Sequence, residues 1–168
     1  MFKQMLKDLL LSYGPSGRED AAAACIERYA APHADEIRRD ALGNLIVRRA
    51  GTSGRRVMLS AHMDQIGLVV VDIDENGFLR VTNVGGISPT MSLTRHVSFP
   101  NGVQGVVVSE VSKDTAMKDL FVDIGAQDKA DAETMVQIGD VCVYANDCFQ
   151  LGANRVASPA MDDRAACA

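Results

Sequence analysis

From about residue 69 to residue 150 the chain is a succession of short β-type runs broken by turn signals roughly every ten residues. That pattern restricts the stretch to a small β-barrel or sandwich. Ile66 to Ile73 is a strongly apolar run, Asp74-Glu75-Asn76-Gly77 turns it, and Phe78 to Thr82 alternates back. Asn-Gly next to a β run is a strong hairpin signal. A second one, Asn101-Gly102, is expected to join a strand over His96 to Phe99 to another over Val103 to Ser109. Further strands are expected over Phe121 to Ile124 and Val141 to Tyr144, with a short helix between them opened by Asp128.

The flanks differ. Phe2, Met5, Leu6, Leu9, Leu10 and Tyr13 fall on a 3–4 spacing with Lys3, Gln4, Lys7 and Asp8 between them, which predicts an amphipathic helix. Gly14-Pro15 breaks it. Ser16-Gly17-Arg18-Glu19 then reads as a capping box, with Ser16 as N-cap and Glu19 reaching back. The helix that follows carries Ala22, Cys25, Ile26 and Tyr29 on one face and is expected to end near Pro32. Asn44 to Arg48 and Arg56 to Ala61 are short β-type runs, and Gly51-Thr52-Ser53-Gly54 between them predicts a hairpin. Gly152 to Ala157 is strand-like, and the apolar run that begins after Arg164 has no Gly or Asn stop. The chain is expected to be the front part of something longer. The simplest architecture is an α/β domain over 1–68 and 151–168, with a β domain over 69–150 inserted into it.

The length of 168 residues suits one domain carrying an insert, and the formal charge of −5 argues against a nucleic-acid partner. No apolar run approaches the roughly 20 residues that a membrane span needs. Lys7 and Asp8 interrupt the first apolar segment, so it does not read as a signal peptide. Cys25, Cys142, Cys148 and Cys167 form no C-x-x-C pair and are expected to be reduced thiols in a cytoplasm.

Two places could carry chemistry. The first is His62-Met63-Asp64, at the end of the Val57 to Ala61 run. The H-x-D spacing lets Asp64 curl back onto one ring nitrogen, fix the tautomer and leave the other nitrogen a better metal ligand. Taken alone, the spacing fits a surface histidine beside a turn aspartate better than a site. The second is Asp162-Asp163-Arg164. Adjacent carboxylates at a helix start are accounted for by capping and dipole preferences. A metal site is the other account. One carboxylate would bridge two cations about 3.5–4 Å apart, and its neighbour would pair with Arg164 or stay solvated. His33 and His96 read as structural, and Asp72, Asp74 and Glu75 as parts of a turn. No nucleophile elbow, phosphate loop or G-x-G-x-x-G is present.

With these segments in view, the chain resembles the M42 family of cytoplasmic metalloaminopeptidases, which includes the tetrahedral TET enzymes. The matching pieces run in order: Gly14-Pro15-Ser16-Gly17-Arg18-Glu19, then Asp40-Ala41-Leu42-Gly43-Asn44-Leu45, then Val57 through Gly67 with its Ser60-Ala61-His62-Met63-Asp64 centre. Gly77-Phe78-Leu79-Arg80, Asn83-Val84-Gly85-Gly86, Asp119 through Ala126, Ile138-Gly139-Asp140 and Ala160-Met161-Asp162-Asp163-Arg164 follow.

The resemblance implies a phosphorylase/hydrolase-like zinc-peptidase catalytic domain, present in part, with an inserted small β-barrel serving oligomerisation and access. It implies two divalent metal ions, zinc or cobalt. His62 would be a terminal ligand of one metal, Asp162 the carboxylate bridging both, and Asp64 the catalytic-site carboxylate that orients His62. The Asp162–Asp163 bond is expected to be cis. The reaction implied is hydrolysis of N-terminal residues from peptides, with a Glu as general base. That Glu, a neighbouring Glu ligand, a further Asp and a final His are expected downstream of residue 168, so these residues alone are expected to be inactive. The full-length protein is expected to be a homo-oligomer. Gln65 stands where a Glu is common in the family, and the segment after Gly105 is short for it. The alternatives are a non-catalytic β module for oligomerisation or binding, and a different two-metal hydrolase on the same scaffold.

Overall fold

The computed structural model describes residues 2–111, 113–145 and 147–168. In chain order its elements are α1 (Phe2–Leu11), α2 (Asp20–Ala30), β1 (Glu36–Arg39), β2 (Leu45–Arg48), β3 (Gly67–Ile73), β4 (Leu79–Val84), α3 (Pro89–Ser92) and β5 (His96–Ser98). There follow β6 (Gln104–Ser109), β7 (Leu120–Asp123), α4 (Lys129–Met135), β8 (Val141–Tyr144), β9 (Phe149–Leu151), β10 (Arg155–Ala157) and α5 (Met161–Cys167). Two compact units form, one from Met1–Asp64 with Asp147–Ala168 and one from Gln65–Asn146.

The second unit is a closed six-stranded barrel, in the order β3-β4-β7-β6-β5-β8. Every pairing is antiparallel. The period-two alternation of strands puts Leu79 and Val81 of β4, Val107 of β6 and Leu120 and Val122 of β7 into the core. Closure leaves no free sheet edge. A register shift between Val70 and Asp72 interrupts the alternation of β3. Val70 and Ile73 therefore both point inward, while Val71 stays 47% exposed. The Asn-Gly turns form as expected: Asp74 Oδ1 accepts from Asn76 N at 3.0 Å, and Gly77 takes φ 81°. The Asp128 side chain accepts from Asp131 N at 2.9 Å and caps α4.

The first unit packs α1, α2 and α5 around Leu9, Ala22 and Cys25, with Ile26, Tyr29, Met63 and Cys167 against them. Its β structure differs from the expectation. β2 pairs with β1, not with residues 56–61. The turn lies at Asp40–Asn44, where the Asp40 carboxylate accepts from Leu42 N, Asn44 N and the Asn44 side chain, and Gly43 takes φ 86°. Residues 56–61 form no strand, and Val57, Met58 and Leu59 are 88%, 88% and 93% exposed. An apolar run becomes a strand only where other backbone pairs with it, and among the described residues none pairs with this one. The expected strand over 152–157 is instead a hairpin of β9 and β10, with Gly152 at φ 59° in its turn. All four cysteines are free, and no helix among the described residues is long and apolar enough to cross a membrane.

Candidate active site

The candidate site lies within the first unit. His62 Nδ1 is 2.8 Å from Asp64 Oδ1, and His62 Nε2 is 3.2 Å from Asp162 Oδ1, a hundred positions along the chain. The carboxylate at Nδ1 makes that nitrogen the N–H donor, so in the neutral ring the Nε2 lone pair faces Asp162. The hydrogen bond to Asp64 raises the pKa of His62 above its ordinary value, against the opposing effect of burial, and Asp162 adds to the rise. Burial works against ionisation of Asp64, but bonds from Ser16 and His62 outweigh it and hold its carboxyl below the usual range.

The Ser16 hydroxyl donates to Asp64 Oδ2. This corrects the capping box. α2 starts at Asp20 with Glu19 as its N-cap, and Glu19 reaches back to Gly17 N at 2.6 Å. Ser16 is therefore a residue of the site that sequence reasoning missed, because its position before a helix explained it without reference to residue 64.

Asp162 and Asp163 open α5, but neither has helical backbone angles, and the peptide bond between them is cis. Asp162 is exposed and Arg164 fully buried. Arg164 pairs with backbone and not with Asp163. Its Nε donates to Met63 O at 2.9 Å, Nη1 to Leu9 O at 3.0 Å and to Ser12 O at 2.6 Å, and Nη2 to Gly14 O at 3.3 Å. The Cys167 thiol donates to His62 O at 3.4 Å. In the second unit Gln65 is 5% exposed, and its amide has no hydrogen-bond partner among the described residues.

The donor set can be tested against a metal ion. Imidazole nitrogen and carboxylate oxygen are both zinc donors at about 2.0–2.2 Å, so two of them on one tetrahedral ion stand about 3.3–3.6 Å apart. The observed 3.2 Å between Nε2 and Oδ1 lies just below that span. Two acceptors set face to face also call for a cation, either a proton or a metal. The set is partial: among the described residues no group of three or more His, Cys, Asp or Glu side chains is placed to hold a metal.

The comparisons with known proteins agree with each other. The lysyl aminopeptidase of Pyrococcus furiosus is 34% identical over 96% of this chain and 51% of its own length. A solved aminopeptidase from the archaeon Desulfurococcus kamchatkensis superposes with a TM-score of 0.89 at 34% identity, over 97% of this chain and 48% of that one. The TET1 peptidase of Pyrococcus horikoshii, described as assembling into a tetrahedron or a large octahedral shell, gives 0.86 at 32% identity, over 99% of this chain and 53% of that one. The chain spans about half the length of the curated relatives it matches. It has the TET aminopeptidase-like fold, mixed α/β with a closed six-stranded barrel. The sequence pattern described as M42 glutamyl aminopeptidase matches residues 43–168, and the chain thus belongs to the M42 aminopeptidase family.

Proposed function

We propose that this chain supplies the first part of the catalytic centre of a metal-dependent aminopeptidase that removes N-terminal residues from peptides. The observation that carries the reading is the opposition of His62 Nε2 and Asp162 Oδ1 at 3.2 Å, with Asp64 on the far side of the ring. His62 and Asp162 would hold zinc or cobalt, Asp162 as the carboxylate shared between two ions. Such ions, when bound, lower the pKa of a water and polarise the scissile carbonyl.

The chain's own residues prepare that site. Asp64 holds the Nδ1 proton, so the ring presents Nε2 as an acceptor. Ser16 occupies the other Asp64 oxygen and keeps the carboxylate from swinging away. The general-base Glu and the remaining ligands are assigned to polypeptide downstream of Ala168, in keeping with the length of the relatives. The first unit then belongs to a phosphorylase/hydrolase-like catalytic domain, and the barrel serves oligomerisation and access. The assembly described for the TET1 peptidase of Pyrococcus horikoshii supports that role.

Cobalt(II) titration of the chain, followed by visible absorption, tests the reading. The parent is expected to take up the metal, and His62→Ala and Asp162→Asn to weaken uptake about tenfold or more. Equal uptake by all three, or none by the parent, overturns it. Residues 1–168 alone are expected to release amino acids from a peptide no faster than His62→Ala does in the presence of zinc or cobalt.

A further inference from the structure

Arg164 is the largest fully buried side chain of the described residues, and its relative exposure is 0%. A buried guanidinium is costly unless its donors are satisfied and its charge is met. Here all four hydrogen bonds end on carbonyl oxygens, those of Leu9, Ser12, Gly14 and Met63. Leu9 lies in the last turn of α1, where the helix dipole is negative, and its carbonyl accepts from Ser12 N at 3.2 Å as well as from the guanidinium. That end of α1 helps meet the charge, with the Asp64 carboxylate acting on it through space and, among the described residues, no carboxylate hydrogen-bonded to it.

The fork joins three segments. Two strands of contact go to the end of α1 and the loop through Gly14, which leads to Ser16. A third goes to Met63, the residue between His62 and Asp64. The side chain itself springs from the position two after Asp162. Gly14 is shaped to this cradle, because a Cβ there would lie 2.7 Å from Arg164 Nη2.

We propose that Arg164 is a positioning residue that locks the His62–Asp64 turn in register with the Asp162–Asp163 segment. Its consequence for metal binding rests on the function proposed above; the locking itself does not. Without the Nε bond to Met63 O, the His62–Asp64 turn loses its fixed height over Asp162. The ring then no longer holds one tautomer.

The test is the ¹⁵N spectrum of the His62 ring in the metal-free chain, at a pH high enough for the imidazole to be neutral. Thermal unfolding is recorded in parallel. The parent is expected to show two well-separated ring nitrogens, the mark of one fixed tautomer. In Arg164→Met they are expected to move toward a common averaged value. Gly14→Ala, which displaces the guanidinium while keeping it, is expected to move them the same way, and it serves if Arg164→Met does not fold. Leu10→Ala, which empties a buried site outside these hydrogen bonds, is expected to lower stability and leave the spectrum as in the parent. Ring nitrogens unchanged in Arg164→Met and Gly14→Ala, or moved as far by Leu10→Ala, overturn the proposal. Zinc titration of the parent separates the two readings. A parent with a fixed tautomer that takes no zinc refutes the metal reading and leaves the positioning role standing.

Discussion

His62 Nδ1 and Asp64 Oδ1 lie 2.8 Å apart, and this bond, more than any other, raises the pKa of the ring. The sign of its effect on stability follows. A group whose folded pKa lies above its unfolded value of about 6.5 stabilises fully below that pH. Its contribution is lost as pH rises through the folded pKa. The metal-free chain is therefore expected to lose stability as pH rises above about 6.5 and through the raised pKa of His62. Asp64→Asn should flatten that limb when the unfolding midpoint is measured against pH. A variant with the slope of the parent would show that the pair carries no coupling.

The Asp8 carboxylate accepts from the Tyr29 hydroxyl at 2.6 Å and from Arg28 at 2.8 Å, joining α1 to α2. The Tyr29 bond, with help from Gln4 and Arg28, holds Asp8 below the usual carboxylate range, and the same bond raises Tyr29. The Asp8 contribution is complete above about pH 4 and lost as pH falls through its lowered pKa. That of Tyr29 is complete below about pH 10 and lost as pH rises through its raised one. Tyr29→Phe is expected to reduce the loss of thermal stability at both extremes. Parent and variant with superimposable pH profiles would contradict this.

How far the sequence revealed these features depended on whether a local signal was enough. The barrel was legible because Leu79, Val81, Val107, Leu120 and Val122 repeat with period two between Asn-Gly turns. The bulge at Val71 was not, since an unbroken apolar run hides which face each residue takes. β1 escaped notice because Glu36-Ile37-Arg38-Arg39 offers one apolar residue among charges, while the Asp40 carboxylate that sets the hairpin acts through side-chain bonds. Arg56 to Ala61 reads as a strand on propensity, but pairing is a tertiary matter. In the site, His62 and Asp64 could be linked by spacing alone. Asp162 was tied to them only by family resemblance. Ser16 and Arg164 act across 48 and up to 155 positions, distances over which no periodicity carries information.

Gly105 of β6 faces the barrel interior where β7 passes closest. A Cβ there would lie 2.5 Å from Val122 Cγ1, 3.0 Å from Asp123 O and 3.1 Å from Ile124 Cγ2. Because the barrel is closed, β6 cannot move outward without breaking the ladders to β5 and β7. Gly105→Ala is expected to destabilise by about 1–3 kcal/mol. Gln104→Ala, on the exposed side of the same strand, should stay within about 0.5 kcal/mol of the parent. Urea unfolding checks both, and equal midpoints for the two variants would place Gly105 outside the packed interior.

Cys142 is fully buried on β8, and its thiol donates to Leu68 O at 3.5 Å. Burial pushes the thiol up to about 12. Alkylation needs the thiolate, whose fraction at pH 8 is then on the order of 10⁻⁴. Cys148 is partly exposed. Brief treatment of the folded chain with iodoacetamide, followed by peptide mass spectrometry, should therefore modify Cys148 and leave Cys142 intact. Urea should bring the two to similar rates. Cys142 then reports opening of the barrel, because the reagent reaches it only when β3 and β8 separate. Labelling of Cys142 as fast as Cys148 in the folded chain would mean that this seam of the barrel is open to solvent.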